Sequence, residues 1–168
     1  LQLAAPTFPG VLAGTPLFEE WEDRGWLLIN DSGEAHVFPG NEASAGKPFG
    51  LLDLTYKDVY KLWAERQRQV FDEGLGAPIC DAQFDIPDDI TARGGESGAL
   101  LRTIYPLLAR QALFDAVAGH KTPQEGVIFS SDLFPGVQRY AWQSAPRVSN
   151  DWQGLTQTLR SALAVGNS

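Results

Sequence analysis

A short apolar run over residues 77–80 ends in Asp81, and three more carboxylates, Asp85, Asp88 and Asp89, follow it closely. An aspartate that closes a strand can act as a nucleophile or acid/base, or it can cap the next loop through backbone N–H groups. Its neighbour Cys80 is the chain's lone cysteine, so no disulfide framework exists. A thiol nucleophile needs a base at hand, and His36 and His120 lie far off in sequence. A small buried hydrophobe is the plainer reading of Cys80. Two histidines and one cysteine do not furnish a His/Cys zinc site. Asp85, Asp88 and Asp89 do not reproduce the EF-hand spacing and read as a solvated acidic loop. No glycine-rich phosphate loop is present.

The elements around Asp81 decide how it is held. Residues 1–3 suit a short strand, which Pro6 is expected to stop. Residues 7–50 carry many glycines, prolines and aromatics, and form a long N-terminal excursion, either a binding loop or a small subdomain. Within it, 18–21 reads as a helical turn, and 25–30 with 34–38 as a hairpin around Asp31-Ser32-Gly33. Thr55 with Asp58 makes a capping box for a helix carrying Val59, Trp63 and Val70, ended by Gly74. Ser97 caps a helix to about Ala118, with Leu100, Ile104, Leu108 and Phe114 or Ala112 as its apolar face. Pro106 is expected to kink or break it, and His120 reads as a surface residue beyond its end. Strands follow at 126–131 and 138–143, with Asp132 opening the loop between them. Asn150, with Gln153 as reciprocal partner, caps a last helix lined by Trp152, Leu155, Leu159 and Leu163. Residues 164–168 suit the start of another strand. Strands alternating with helices predict an α/β fold, a mostly parallel sheet with flanking helices and right-handed crossovers.

The chain has 168 residues and a formal charge of −8. That length is one domain with a real core. The negative charge argues against a nucleic-acid partner, and no run is long enough to span a membrane. The opening residues lack a basic n-region, so a soluble protein of the cytoplasm is expected. The chain contains no Met, as a processed product or a piece of something longer would.

Several segments, taken in order, resemble glycoside hydrolase family 31, which contains α-glucosidases, α-xylosidases and sulfoquinovosidases. Ala4-Ala5-Pro6 stands where that family ends a strand in Asn-Pro. Residues 15–20 and 25–27 resemble the segment that follows, and Asp53-Leu54-Thr55 resembles Asp-Phe-Thr before a helix. Ile79-Cys80-Asp81, with 86–89, resembles the strand of the nucleophile and its loop. Gly136-Val137-Gln138-Arg139-Tyr140 resembles Gly-x-Gln-Arg-Tyr, and the last helix resembles the one before the seventh strand. The resemblance implies a partial (β/α)8 TIM barrel, from about the third strand to the beginning of the seventh, as a single domain over 1–168. A whole barrel takes about 250 residues. Unclosed sheet edges imply a cover, either a second copy or a companion chain.

The implied chemistry is that of retaining α-glycosidases, with two carboxylates about 5–5.5 Å apart. Asp81 takes the nucleophile position. The family's usual Lys before it is Ile79 here, and its Gly-Glu after it is Gln83-Phe84. Its substrate-binding Arg falls on Ser131, and its Trp-Ser-Gly-Asp run falls on 144–147. Arg147 cannot serve as a carboxylic acid, so Asp151 or Asp132 is the candidate substitute acid/base. Asp53, Trp142 and Arg147 are the candidate substrate contacts, with Trp142 and Trp26 able to stack on a sugar. A carbohydrate is the expected ligand, and no cofactor or metal is called for. The expectation is a glycosidase-like domain that is weak or inactive alone, or a scaffold, partner subunit or carbohydrate-binding module.

Overall fold

The computed structural model describes residues 3–80, 84–118, 128–130, 136, 139–143 and 149–165. In chain order the elements are β1 (Leu3–Thr7), β2 (Gly10–Leu12), α1 (Pro16–Asp23), β3 (Phe49–Leu51), α2 (Lys57–Asp72) and β4 (Leu75–Cys80). Then come α3 (Gly98–Ala118), β5 (Phe129–Ser130), β6 (Trp142–Gln143) and α4 (Trp152–Val165). The main sheet runs β1-β4-β5-β6 with every neighbouring pair parallel. Pro6 does not stop β1, which pairs through Thr7. Among the described residues β1 is bonded on one side only, by β4, a position where proline is tolerated.

The excursion that follows β1 contributes its apolar side chains to the same core as α2, β4 and α3. Thr15 caps α1, its Oγ1 accepting from the Phe18 N–H at 3.2 Å. The helix is two turns rather than one because Pro16 at its first position needs no N–H partner. Phe18 and Trp21 face inward against Leu27, Leu28, Phe49 and Leu51. β2 and β3 pair antiparallel as a separate two-stranded sheet. The expected hairpin at 25–30 and 34–38 is present as one isolated bridge, Ile29 to Ala35, with His36 N–H donating to Leu28 O and a turn closed by Gly33 N–H to Asn30 O, while Leu27 bridges Leu52 beyond β3.

The helices correct several expectations. Thr55 does not cap α2; its hydroxyl donates to Asp53 Oδ1 at 2.6 Å, and Tyr56 takes the cap position without a side-chain bond. Asp53 is the closer acceptor and wins the hydroxyl. The buried side of α2 is Val59, Trp63 and Phe71, while Val70 is exposed. Gly74 follows α2 at φ 110°, the left-handed position a glycine cap takes, and its N–H donates to Phe71 O. Ser97 caps α3, which runs unbroken through Pro106. Its buried face departs from the expected one: Leu101, Tyr105, Ala109, Arg110 and Leu113 point inward with Ala112, the one expected residue fully buried, while Ile104 and Leu108 are half-buried and Leu100 and Phe114 are exposed. The helix is apolar almost all round, so periodicity alone did not choose the face. At α4 the capping group is Asp151, whose Oδ1 accepts the Gly154 N–H at 2.7 Å, and not Asn150. The helix continues to Val165, so Ala164 and Val165 of the strand start expected at 164–168 are helical, and residues 166–168 lie outside the described residues.

Register partners in the sheet share a face. Ala4, Pro6, Ala77, Ile79 and Phe129 therefore line one side, and Pro78, Cys80 and Ser130 the other. The second side is buried beneath α2 and α3: Thr7 Oγ1 donates to Gln67 of α2, and Arg110 of α3 bonds Cys80 and Ser130. On the first side Ala4, Pro6 and Phe129 are exposed. No helix among the described residues is long and apolar enough to cross a membrane.

Candidate functional site

The described ends of β4 and β5 are Cys80 and Ser130, side by side in the sheet and both fully buried. Arg110 ties them together from behind. Its Nη2 donates to Cys80 O at 2.8 Å and to Ser130 Oγ at 2.8 Å, and its Nε donates to Ser130 Oγ at 3.1 Å. Its Nη1 curls back to Pro106 O at 3.1 Å, one turn earlier on α3. No part of this guanidinium reaches solvent. A buried cation is tolerated only when its donors are used in good geometry, and the planar fork suits two strand ends at once. Asp81 follows Cys80 directly in the chain, and Ser131 and Asp132 follow Ser130.

An aromatic layer lies just past the strand ends. Phe8 follows β1, and its ring meets Phe49 edge-on at 5.3 Å and Phe84 at 6.5 Å. Phe84 also contacts Phe49 at 5.7 Å and Tyr105 at 6.1 Å. Tyr105 is fully buried and donates its hydroxyl to Leu52 O at 2.8 Å, with Pro9 O at 3.2 Å. Burial, then the negative charge of Asp53, pushes that phenol far above its usual range, so it stays a neutral donor. Phe84 thus fastens the loop after β4 to the excursion. A further loop contact comes from Arg102, which donates to Ile86 O and pairs with Asp88.

Asp53 is fully buried and serves as a clasp. Oδ1 accepts the Thr55 N–H at 3.0 Å as well as its hydroxyl, and Oδ2 accepts the Arg93 N–H at 2.7 Å. Its own N–H donates to Trp26 O at 2.8 Å. The Trp26 ring is already covered by the Arg24 guanidinium at 4.7 Å and lies near Trp21. Asp151 sits at the head of α4, on an open groove of about 690 Å³ shared with Trp152 and Leu155. The Gly154 N–H, then the Ser149 side chain, holds its carboxyl below the usual value. In this setting it is a carboxylate, able to cap or to accept a proton, and not a proton donor at neutral pH.

Asp81, Asp132, Ser131 and Arg147 lie outside the described residues, as do Gly119 and His120. Trp142 enters with its backbone alone, paired in β6 with Phe129. Cys80 is buried, and Tyr140 packs edge-on against Phe114 at 5.6 Å. Among the described residues no three His, Cys, Asp or Glu side chains gather as a metal site. Sequence reasoning passed over Arg110. The signal was there: it is the lone charge between Arg102 and Asp115 in an otherwise apolar helix.

Successive parallel strands with helices on one side and an uncovered apolar face on the other define part of a (β/α) barrel, whose strand ends form the mouth. The chain belongs to glycosyl hydrolases family 31, matching its TIM-barrel domain over residues 2–168. A GH31 sulfoquinovosidase from E. rectale, solved with an aza-sugar inhibitor, superposes with a TM-score of 0.78 at 19% identity, covering 89% of this chain and 22% of that one. A GH31 dextranase of Flavobacterium johnsoniae, complexed with glucose, gives 0.77 at 15% identity, covering 98% and 22%. The α-xylosidase XylQ of Lactiplantibacillus pentosus is 24% identical over 123 residues, 73% of this chain and 16% of that protein. The chain therefore spans under a quarter of the length of these relatives, and its sheet is a partial barrel.

Proposed function

We propose that this chain is a glycosidase-like domain of the retaining α-glycosidase type, that Asp81 keeps the nucleophile position, and that the isolated chain turns over α-glycosides weakly or not at all. The observation that supports it most is the Arg110 fork, which holds the ends of β4 and β5 together where barrel enzymes keep their reacting groups. In this reading the Asp81 carboxylate attacks the anomeric carbon, and the departing oxygen needs a proton from a second carboxyl group. Phe84 occupies the place of a family glutamate and is packed among aromatic rings. Asp151 is engaged as a helix cap and is held ionised. Neither supplies a proton. Leaving groups that depart as stable anions do not need one.

The test follows from that difference. The chain should release dinitrophenol slowly from dinitrophenyl α-glucoside or α-xyloside, D81A should not, and unactivated disaccharides should remain intact. A mechanism-based fluoro-sugar should leave a covalent adduct on Asp81, read by peptide mass. Equal release by the chain and D81A, with no adduct, would sink the nucleophile assignment. Sugar binding without any turnover would favour the second reading, a carbohydrate-binding or scaffolding module. The exposed apolar stripe of α4, a surface fitted for a neighbour, speaks for that second reading.

A further inference from the structure

We infer that the groove between α2 and α3, on the outer side of this helix pair, binds a small anion with an apolar body, a carboxylate or phosphate carried on an aryl or alkyl group. The site is separate from the proposed function and needs neither Asp81 nor glycoside turnover. Both walls are successive helices well inside the chain. Shape, charge and floor lead to it independently.

The groove has a volume of about 540 Å³ and follows one stripe of α2, Lys57, Lys61, Ala64 and Arg68, with Asp115 and Ala116 of α3 opposite. Positions three or four apart share a helix face, and Val59 and Trp63 point the other way, into the core. At about 1.5 Å per residue the stripe is roughly 16 Å long. The mean cross-section is then about 30–35 Å², well under the roughly 80 Å² of a helix about 10 Å across. A helix is too wide for it. An extended peptide would find no backbone partners, because both walls use their own N–H and C=O groups within helices. A single aryl or alkyl group meets both constraints, and the volume is of the size that takes small ligands.

Lys57 and Lys61 stand one turn apart on the rim, both exposed. Among the described residues neither ammonium has an ion-pair or hydrogen-bond partner. The other charged groups of the lining are engaged. Arg68 pairs with Glu65 at 2.6 Å, and Asp115 accepts the Tyr60 hydroxyl at 2.5 Å. The unpaired charges are thus two neighbouring cations, on a chain whose formal charge is −8. An acidic group between them is the partner that this rim lacks.

The floor is apolar. Ala64 is half-buried and Ala116 is buried, and Tyr60 adds its ring. Burial, then the bond to Asp115, pushes the Tyr60 phenol far above its usual range. Tyr60 therefore stays neutral and brings no negative charge to the groove. Small side chains at 64 and 116 leave the space that larger ones would fill. An apolar body covers this floor while its acidic head meets the two ammoniums.

An NMR titration of the isotope-labelled 168-residue chain tests this. Naphthyl phosphate and naphthoate are the anionic probes, and naphthalenemethanol is the neutral one. Both anions should bind saturably, with Kd on the order of 0.1–1 mM for ligands of this size, and should shift the amides of residues 57–68 and 115–116. The alcohol should bind about tenfold more weakly, the difference expected of two exposed charge contacts. Lys57→Gln with Lys61→Gln should weaken both anions about tenfold and leave the alcohol and the far-UV circular dichroism unchanged, since both side chains are exposed. Added salt should weaken the anions alone. Tighter binding of the phosphate or of the carboxylate names the natural head group, and either supports the site. No saturable shift well above that concentration range overturns the inference. So do shifts confined to other residues, an alcohol that binds as well as the anions, or anion binding that ignores the two lysine substitutions.

Discussion

Arg110 is the most demanding residue of the fold, and replacing it has a calculable cost. In Arg110→Met the apolar stem keeps its volume, so the loss falls on the hydrogen bonds to Cys80 O, Ser130 Oγ and Pro106 O. A bond from a charged donor contributes about 1.5–3 kcal/mol. Bonds from one side chain are not additive, and the buried acceptors left without their donor cost about 1–3 kcal/mol each, about 3–5 kcal/mol together. That is a large share of the 5–15 kcal/mol or so that holds a domain together. At this chain length each kcal/mol shifts Tm by about 2–4 °C, so the variant should melt roughly 6–20 °C lower. Urea unfolding followed by circular dichroism should show a lower midpoint with the slope unchanged. Arg110→Lys keeps the charge but loses the fork, and should fall between the two. Ser130→Ala should destabilise the parent chain and do little in the Arg110→Met background, because its main donor is already gone. An Arg110→Met midpoint equal to or above that of the parent would refute the reasoning that the guanidinium binds the two strand ends together.

Two other outcomes follow from particular contacts. The pKa of Asp151 is lowered from 3.8 on folding, chiefly by the Gly154 N–H, so its stabilisation of α4 is fully present above the unfolded value and is lost as pH falls through the lowered one. Asp151→Ala should therefore reduce helical circular dichroism at pH 5–8, and the difference from the parent should vanish once both are titrated well below pH 3.8; a difference that persists there would mean the carboxylate charge is not what caps the helix. Gly98 begins α3 against Pro87, where an added Cβ would lie 1.7 Å from a carbonyl oxygen; Gly98→Ala should cost about 1–3 kcal/mol in urea unfolding, and a neutral result would mean that the 86–89 loop yields freely.

The order of elements was legible because it rests on alternation of apolar runs and on punctuation: Ser97, Gly74 and the run before Asp81 each mark a boundary by local chemistry. What local rules missed were choices between neighbours. Asn150 and Asp151 are both good caps, and which one meets an N–H depends on where the chain enters α4. Thr55 had two uses for its hydroxyl, and the closer carboxylate of Asp53 decided. Pro6 reads as a stop only if both sides of its strand are bonded, which is a matter of topology. The face of α3 was illegible for a related reason: its interior partner is a sheet made of segments on either side of it, and a charged side chain was the one that reached it. Asp81 is a candidate from its place in the sequence after an apolar run; Arg110, which anchors the described end of that strand at Cys80, carries no such mark beyond its isolation.

Tyr105 bonds the carbonyl of Pro9 across 96 residues of chain, and this has a consequence for synthesis. At about 5–20 residues per second, a ribosome delivers the tyrosine roughly 5–20 seconds after the proline. β1 emerges first, but its partner β4 and the ring that seals its exit come late. Part of the excursion, such as the β2–β3 pair, has its partners sooner, while its bridge from Ile29 to Thr91 and its Phe49–Phe84 contact wait for later residues. The newborn protein thus passes through a stage with a half-built excursion and a waiting strand, and a chaperone that recognises extended apolar segments would meet it there, at Leu3–Thr7.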